Sequence, residues 1–108
     1  RPEEGEHLFM YLGVGEATLS AVLLKKEAQV DKPIYYVSKV LQDAESRYSH
    51  VDKVVLALIM TSRKLRPYFQ AHSITILTDQ PLRQILQKPE YSGRLTKWVV
   101  ELGEFDIH

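Results

Sequence analysis

Three apolar runs rich in β-branched and aromatic residues follow one another before any helical spacing begins, and this order most restricts what the chain can become. After His7, Leu8-Phe9-Met10-Tyr11-Leu12 stops at Gly13-Val14-Gly15. Thr18 to Leu24 is apolar and then turns charged at Lys25-Lys26-Glu27, and Pro33-Ile34-Tyr35-Tyr36-Val37 makes the third run. Such runs, bounded by glycine and charge, predict three consecutive strands in an antiparallel meander. A polar interval, Leu41 to Tyr48, leads to Ser49-His50-Val51-Asp52, where a serine followed three residues on by an acid has the form of a helix cap. A helix is predicted from there, with Val51, Val54, Val55, Leu58 and Leu65 on one stripe. Arg63, Lys64 and Arg66 gather in its last turn, where cations suit the helix dipole, and Pro67 is expected to stop it.

Ser73 to Asp79 reads as a fourth strand, and Pro81 to Gln87, with Leu82, Ile85 and Leu86 on one face, as a short helix. Ser92 to Phe105 carries Leu95, Trp98, Val99 and Leu102 at helical spacing, with Gly103 weakening its end. The predicted class is therefore mixed α/β: three antiparallel strands, a helix, a strand and two helices. At 108 residues the chain is expected to be one domain. It opens on Arg1 and still reads as structured at Asp106-Ile107-His108, so a fragment of a longer protein, truncated at its C-terminal end, is expected. On that expectation Leu95, Trp98 and Leu102 would be partly uncovered.

Composition excludes several classes. The chain is 44% hydrophobic and 26% charged, which suits a packed core rather than a disordered or collagen-like segment. Its formal net charge is zero, so any contact with a polyanion must be local. The absence of cysteine rules out disulfides and zinc–thiolate sites. The longest apolar run, Val54 to Met60, is far below the roughly 20 residues of a membrane span.

Few residues point to chemistry. Gly13 and Gly15 spell G-x-G without the third glycine of a dinucleotide loop, and read as a turn. His7, His50, His72 and His108 lack the spacing of a metal site, and no Gly-x-Ser-x-Gly elbow occurs. Arg63, Lys64 and Arg66, with Lys25-Lys26, can touch phosphate, although a helix C-terminus collects such charges anyway. Asp79 ends a strand before a turn, where side chains of open α/β sheets meet ligands, but a carboxylate there also serves as a cap.

Four stretches taken together resemble one family: Pro33-Ile34-Tyr35-Tyr36-Val37-Ser38-Lys39, Ala44-Glu45-Ser46-Arg47-Tyr48-Ser49, Arg63-Lys64-Leu65-Arg66-Pro67-Tyr68-Phe69 and Leu77-Thr78-Asp79-Gln80-Pro81-Leu82. They are similar to the RNase H-like domain of Gypsy-type (Metaviridae) LTR-retrotransposon reverse transcriptases. The likeness runs from about Leu8 to Ile107 and includes Gly93-Arg94-Leu95-Thr96-Lys97-Trp98. It implies an RNase H fold. Active members resemble other RNases H in holding two Mg²⁺ ions with three or four carboxylates while the RNA strand of an RNA–DNA hybrid is cut.

Carried over residue by residue, the family acids of the first strand, the first helix and the fourth strand fall on Gly13, Val54 and Asp79, and only Asp79 is acidic. A fourth family acid belongs to a later helix, beyond His108. Asp52 lies two residues before Val54, roughly 200° around a helix, and suits a cap better than a ligand; it is kept as a substitute should the register differ, since Asp52-Lys53 resembles the acid–lysine pair of active relatives. Glu16, three residues past Gly13, is a second substitute on a poorly preorganised turn.

The resemblance thus implies a domain whose fold outlives its acid set, as in retroelements where the original RNase H has become a connection, or tether, beside the polymerase. On this reading no cofactor is needed. The partners are the polymerase and downstream domains of the polyprotein and an RNA–DNA hybrid touched through Lys25, Lys26, Arg63, Lys64 and Arg66. The location is intracellular, in cytoplasm, virus-like particle or nucleus, without a membrane. The alternatives are an active Mg²⁺-dependent nuclease using Asp79 with Glu16 or Asp52, and a relic or host-adopted binding module.

Overall fold

The first three strands form two hairpins. β1 (Leu8–Val14) runs antiparallel to β2 (Thr18–Glu27), pairing Phe9 with Leu24 and Val14 with Leu19, and β2 runs antiparallel to β3 (Val30–Val40), pairing Thr18 with Val40 and Glu27 with Val30. The computed structural model describes residues 3, 5–78 and 93–108. β2 and β3 extend past their apolar runs because Ala28 and Gln29 both take left-handed backbone angles, with φ of 54° and 65°. Two such residues in succession give a two-residue turn whose twist matches the strands it joins. Neither is the Gly, Asn or Asp that usually announces such a turn, which is why the sequence did not place it.

The interval Leu41 to Tyr48, expected to be irregular, holds one helical turn, α1 (Asp43–Ser46), where the Gln42 N–H donates to Glu45 Oε1 at 2.9 Å. α2 (His50–Lys64) starts as expected: Ser49 is its cap and accepts from the Asp52 N–H at 3.1 Å. Pro67 does not act as a stop. α2 has already ended at Lys64, and Pro67 lies in the first turn of a further helix, α3 (Arg66–Ala71), where its missing N–H costs no helical bond. Leu65 sits between the two helices and is buried.

β4 (Ile74–Leu77) joins the sheet parallel to β1, giving the order β3-β2-β1-β4. Asp79 and the helix expected at Pro81 to Gln87 lie outside the described residues. The last helix, α4 (Gly93–Leu102), ends where Gly103 donates to the carbonyls of Val99 (3.1 Å) and Val100 (3.2 Å). Beyond it the chain turns back onto the free edge of β4, pairing Ile107 with Ile74. Ile74 N–H donates to Asp106 O, His108 N–H to Ile74 O, and Ile76 N–H to His108 O, at 2.9–3.0 Å. This fifth strand position was not foreseen, because four residues are too few to show a period.

α2 is buried on nearly every side from Lys53 to Ile59 rather than along one stripe. One side meets Leu8, Met10, Ala21 and Leu23 of the sheet, and Leu95 and Leu102 of α4 join the same cluster. The expected uncovering of α4 is therefore corrected: Leu95 and Leu102 are 4% and 3% exposed, and Trp98 is half-buried against Tyr48. Apolar exposure falls instead on Tyr11, Tyr35, Tyr36 and Val40 of the strands and on Val100. Among the described residues no helix is long and apolar enough to cross a membrane.

Candidate functional site

The end of β1, the start of α2 and the end of β4 come together around one cleft of about 560 Å³, lined by Tyr11, Leu12, Val14, His50, Val54, Ile76, Leu77 and Thr78. Parallel pairing of β1 with β4 sets Tyr11 beside Leu77. The Ser49 cap fixes where α2 begins, and so where His50 and Val54 stand. These are the elements on which the resemblance places the family acids, and the fold gathers them although they are distant in sequence.

The chemistry of the lining is a different matter. Val54 is 1% exposed and packs with the main core. Gly13 has no side chain, and a Cβ there would come within 2.6 Å of Ser20 Oγ. Asp79 lies outside the described residues; Thr78, just before it, is in the cleft wall. No carboxylate of a described residue lines the cleft, and no group of three or more His, Cys, Asp or Glu suited to a metal occurs among the described residues. The described lining offers the hydroxyls of Tyr11 and Thr78 and the His50 imidazole, but no carboxylate of the kind that holds Mg²⁺.

Neither substitute acid enters the cleft lining. Asp52 sits in the first turn of α2, its backbone N–H held by Ser49. Glu16 is exposed on the β1–β2 turn, and its carbonyl accepts from Lys53 Nζ at 3.1 Å. The sequence marked Lys53 only as the companion of Asp52 in the acid–lysine pair and assigned it no role of its own; it is 9% exposed.

The basic residues fall into two groups with mostly internal partners. Lys25 pairs with Glu27 at 3.4 Å and Lys26 lies 4.9 Å over the Phe9 ring. The Lys25 ammonium, then Lys32, holds the Glu27 carboxyl below its ordinary value. Arg63 makes a two-pronged bond to Glu101, Nε and Nη2 each at 2.8 Å, tying α2 to α4. Arg66 pairs with Glu104 at 3.6 Å and lies 5.7 Å from the Phe105 ring. Lys64 is exposed. Lys25 lines one hollow with Lys32 and Tyr68, whereas Arg63 and Lys64 line another with Lys39 and Met60, so the structure does not bring the five cations into a single patch.

The Arg63 bond lowers the Glu101 pKa and raises that of Arg63. A lowered carboxyl contributes stability above its unfolded pKa and loses it as pH falls through the folded value. Arg63→Ala is therefore expected to cost about 0.5–1 kcal/mol at neutral pH, a pair half open to solvent being screened. Below about pH 4 the difference from wild type should shrink toward zero, as paired denaturant titrations at the two pH values would show.

Comparison with known proteins decides the family. Residues 5–105 match the family described as RNase H-like domain found in reverse transcriptase. The chain belongs to that family. Its RNase H-like domain is 32% identical over 90 residues to the retrovirus-related Pol polyprotein from the Drosophila melanogaster transposon opus, and 34% identical over 90 residues to that from transposon 297. Each match covers 82% of the chain but only 9% and 8% of the polyprotein, so the RNase H-like domain spans less than a tenth of these relatives.

Solved structures share the fold. The foamy viral protease–reverse transcriptase in complex with dsDNA superposes with a TM-score of 0.65 at 24% identity, over 99% of this chain and 24% of that one. The same protein in complex with an RNA/DNA hybrid gives 0.69 at 16% identity, over 95% and 15%. The mixed four-stranded sheet with its helices is thus the RNase H-like arrangement that the resemblance implied, and it agrees with the mixed α/β class read from the strand and helix order.

Proposed function

We propose that this RNase H-like domain is a noncatalytic connection domain of a Gypsy-type retrotransposon reverse transcriptase, supporting an RNA–DNA hybrid beside the polymerase. The observation that carries the reading is the cleft. It gathers the three elements on which the resemblance places the family acids, and at two of the positions so assigned the chain has a buried aliphatic Val54 and a bare Gly13, which supports the reading. Uncompensated carboxylates in one cleft repel one another, so a domain released from metal chemistry gains stability by losing them. Packing of Val54 with Leu8, Met10 and Val55 supports this role.

No cofactor belongs to the domain on this reading, and its place is inside the cell with the rest of the polyprotein, in cytoplasm, virus-like particle or nucleus. Hybrid contact is weak and made to the backbone. Lys64 and Lys26 are better placed for it than Arg63 and Arg66, whose guanidinium groups already serve α4 and the tail. Affinity should fall as salt rises.

The test is cleavage of a labelled RNA–DNA hybrid by the longer reverse transcriptase at millimolar Mg²⁺, with and without Asp79→Ala in this domain. The expected result is that Asp79→Ala leaves cleavage unchanged. A loss of about a hundredfold or more on that substitution would overturn the reading in favour of an active site built on Asp79.

A further inference from the structure

We propose that Lys53 is a positioning residue for the cleft: its ammonium fastens the β1–β2 turn to the first turn of α2, fixing the spacing of the two walls that meet there. Lys53 is 9% exposed, and its Nζ donates to the carbonyls of Glu16 at 3.1 Å and Gly15 at 3.5 Å. Both partners are backbone oxygens of the turn that follows the end of β1. The residue after Lys53 is Val54 in one cleft wall, and the residue before Gly15 is Val14 in the facing one. A single side chain thus bridges the two elements whose separation sets the cleft width.

The turn leaves those carbonyls available as acceptors. Within it, the Gly15 N–H donates to the Thr18 carbonyl at 2.9 Å, and the Ala17 carbonyl accepts from the Leu41 N–H at 2.8 Å. The carbonyls of residues 15 and 16 point instead toward the start of α2, where Lys53 reaches them across 37 or 38 residues of sequence. Gly15 and Glu16 are exposed, so the energetic need lies with Lys53: an ammonium on a side chain only 9% exposed is costly unless hydrogen-bonded, and these two carbonyls supply its bonds. The arrangement uses no carboxylate in either contact, so it serves the cleft whether or not chemistry occurs there, and it stands independently of the noncatalytic reading.

Amide exchange in the full chain, compared among wild type, Lys53→Met and Lys53→Arg, tests the proposal. Methionine keeps the bulk and loses the donor; arginine keeps a donor of similar reach. In Lys53→Met the Gly15 amide is expected to exchange at least about tenfold faster while amides of the β2–β3 ladder keep their protection, the pattern of a local opening. The His50 ring resonances should shift, since His50 shares the cleft wall. Lys53→Arg should restore both toward wild type. Unchanged Gly15 exchange in Lys53→Met would overturn the proposal, as would a rise equal to that of the β2–β3 amides, which marks global destabilisation. Should Lys53→Met fail to fold, Lys53→Ala, which also lacks the donor, replaces it under the same criteria.

Discussion

Phe69→Ala is expected to lower the unfolding free energy by about 4 kcal/mol, a large share of the 5–15 kcal/mol typical of a domain. Phe69 is 2% exposed and is the buried anchor of α3, a six-residue helix too short to persist without tertiary packing. Its ring meets the Phe105 ring edge-on at 5.7 Å, a geometry that adds about 1 kcal/mol beyond area burial. The loss should therefore exceed that of an ordinary core truncation and reach past α3. Phe105 opens the tail that pairs along β4, so loosening it weakens the bonds joining Asp106 and His108 to Ile74 and Ile76. Thermal unfolding should shift down by about 15–25 °C. A fall below about 1.5 kcal/mol would show that α3 and the tail are docked by something other than this ring pair.

The same tail carries a cluster that works with that docking. Ser73 Oγ donates to Asp106, His108 Nε2 stands 2.8 Å from Asp106 Oδ1, and the His7 and His108 rings lie 5.8 Å apart. The Ser73 hydroxyl, foremost, with the nearby imidazoles, keeps the Asp106 carboxyl below its ordinary value. Its contribution is present at neutral pH and fades only in acid.

How much of this was legible beforehand follows from the kind of signal each element carries. β1 to β3, the Ser49 cap and the α4 stripe were readable because period, composition and cap chemistry agree locally. The Ala28–Gln29 turn, α3 and the strand at Ile107 were not, because each depends on tertiary pairing that overrides weak local preference. The cleft shows the same division. The resemblance indicated which three elements meet, and the structure places the first two and the end of β4 there; Lys53 was visible beside Asp52, but its hold on the β1–β2 turn was not, because its partners are backbone carbonyls, which have no sequence signature. Arg63 and Arg66 were visible as charges, but their engagement with Glu101 and Glu104 required knowing that α4 folds back on α2.

Placing an acid at Val54 of α2 should be the most damaging single change in the cleft. Val54→Glu places a carboxylate where the native side chain is 1% exposed and belongs to the main apolar cluster. Even with the His50, Tyr11 and Thr78 side chains in the same lining, an ionised glutamate taken out of water there is expected to cost about 3 kcal/mol at pH 7. Burial raises the pKa of such a group in the folded state, so the ionisation penalty is greatest at high pH, fades as pH falls through that raised value, and is gone below the unfolded value near about 4.3. Gly13→Asp is milder, since Ser20 Oγ can rotate away from the new Cβ. Combining the two supplies carboxylates at both family positions beside Asp79. If the three elements converge as the family arrangement implies, about 10 mM Mg²⁺ should return part of the lost stability to the double variant by mass action. It should leave the wild-type unfolding midpoint unmoved, and Asp79→Asn should remove the effect. A double variant indifferent to Mg²⁺ would mean that Gly13 and Val54 are not the positions the acids once held, while a wild-type midpoint raised by Mg²⁺ would place a metal site in the cleft as it stands.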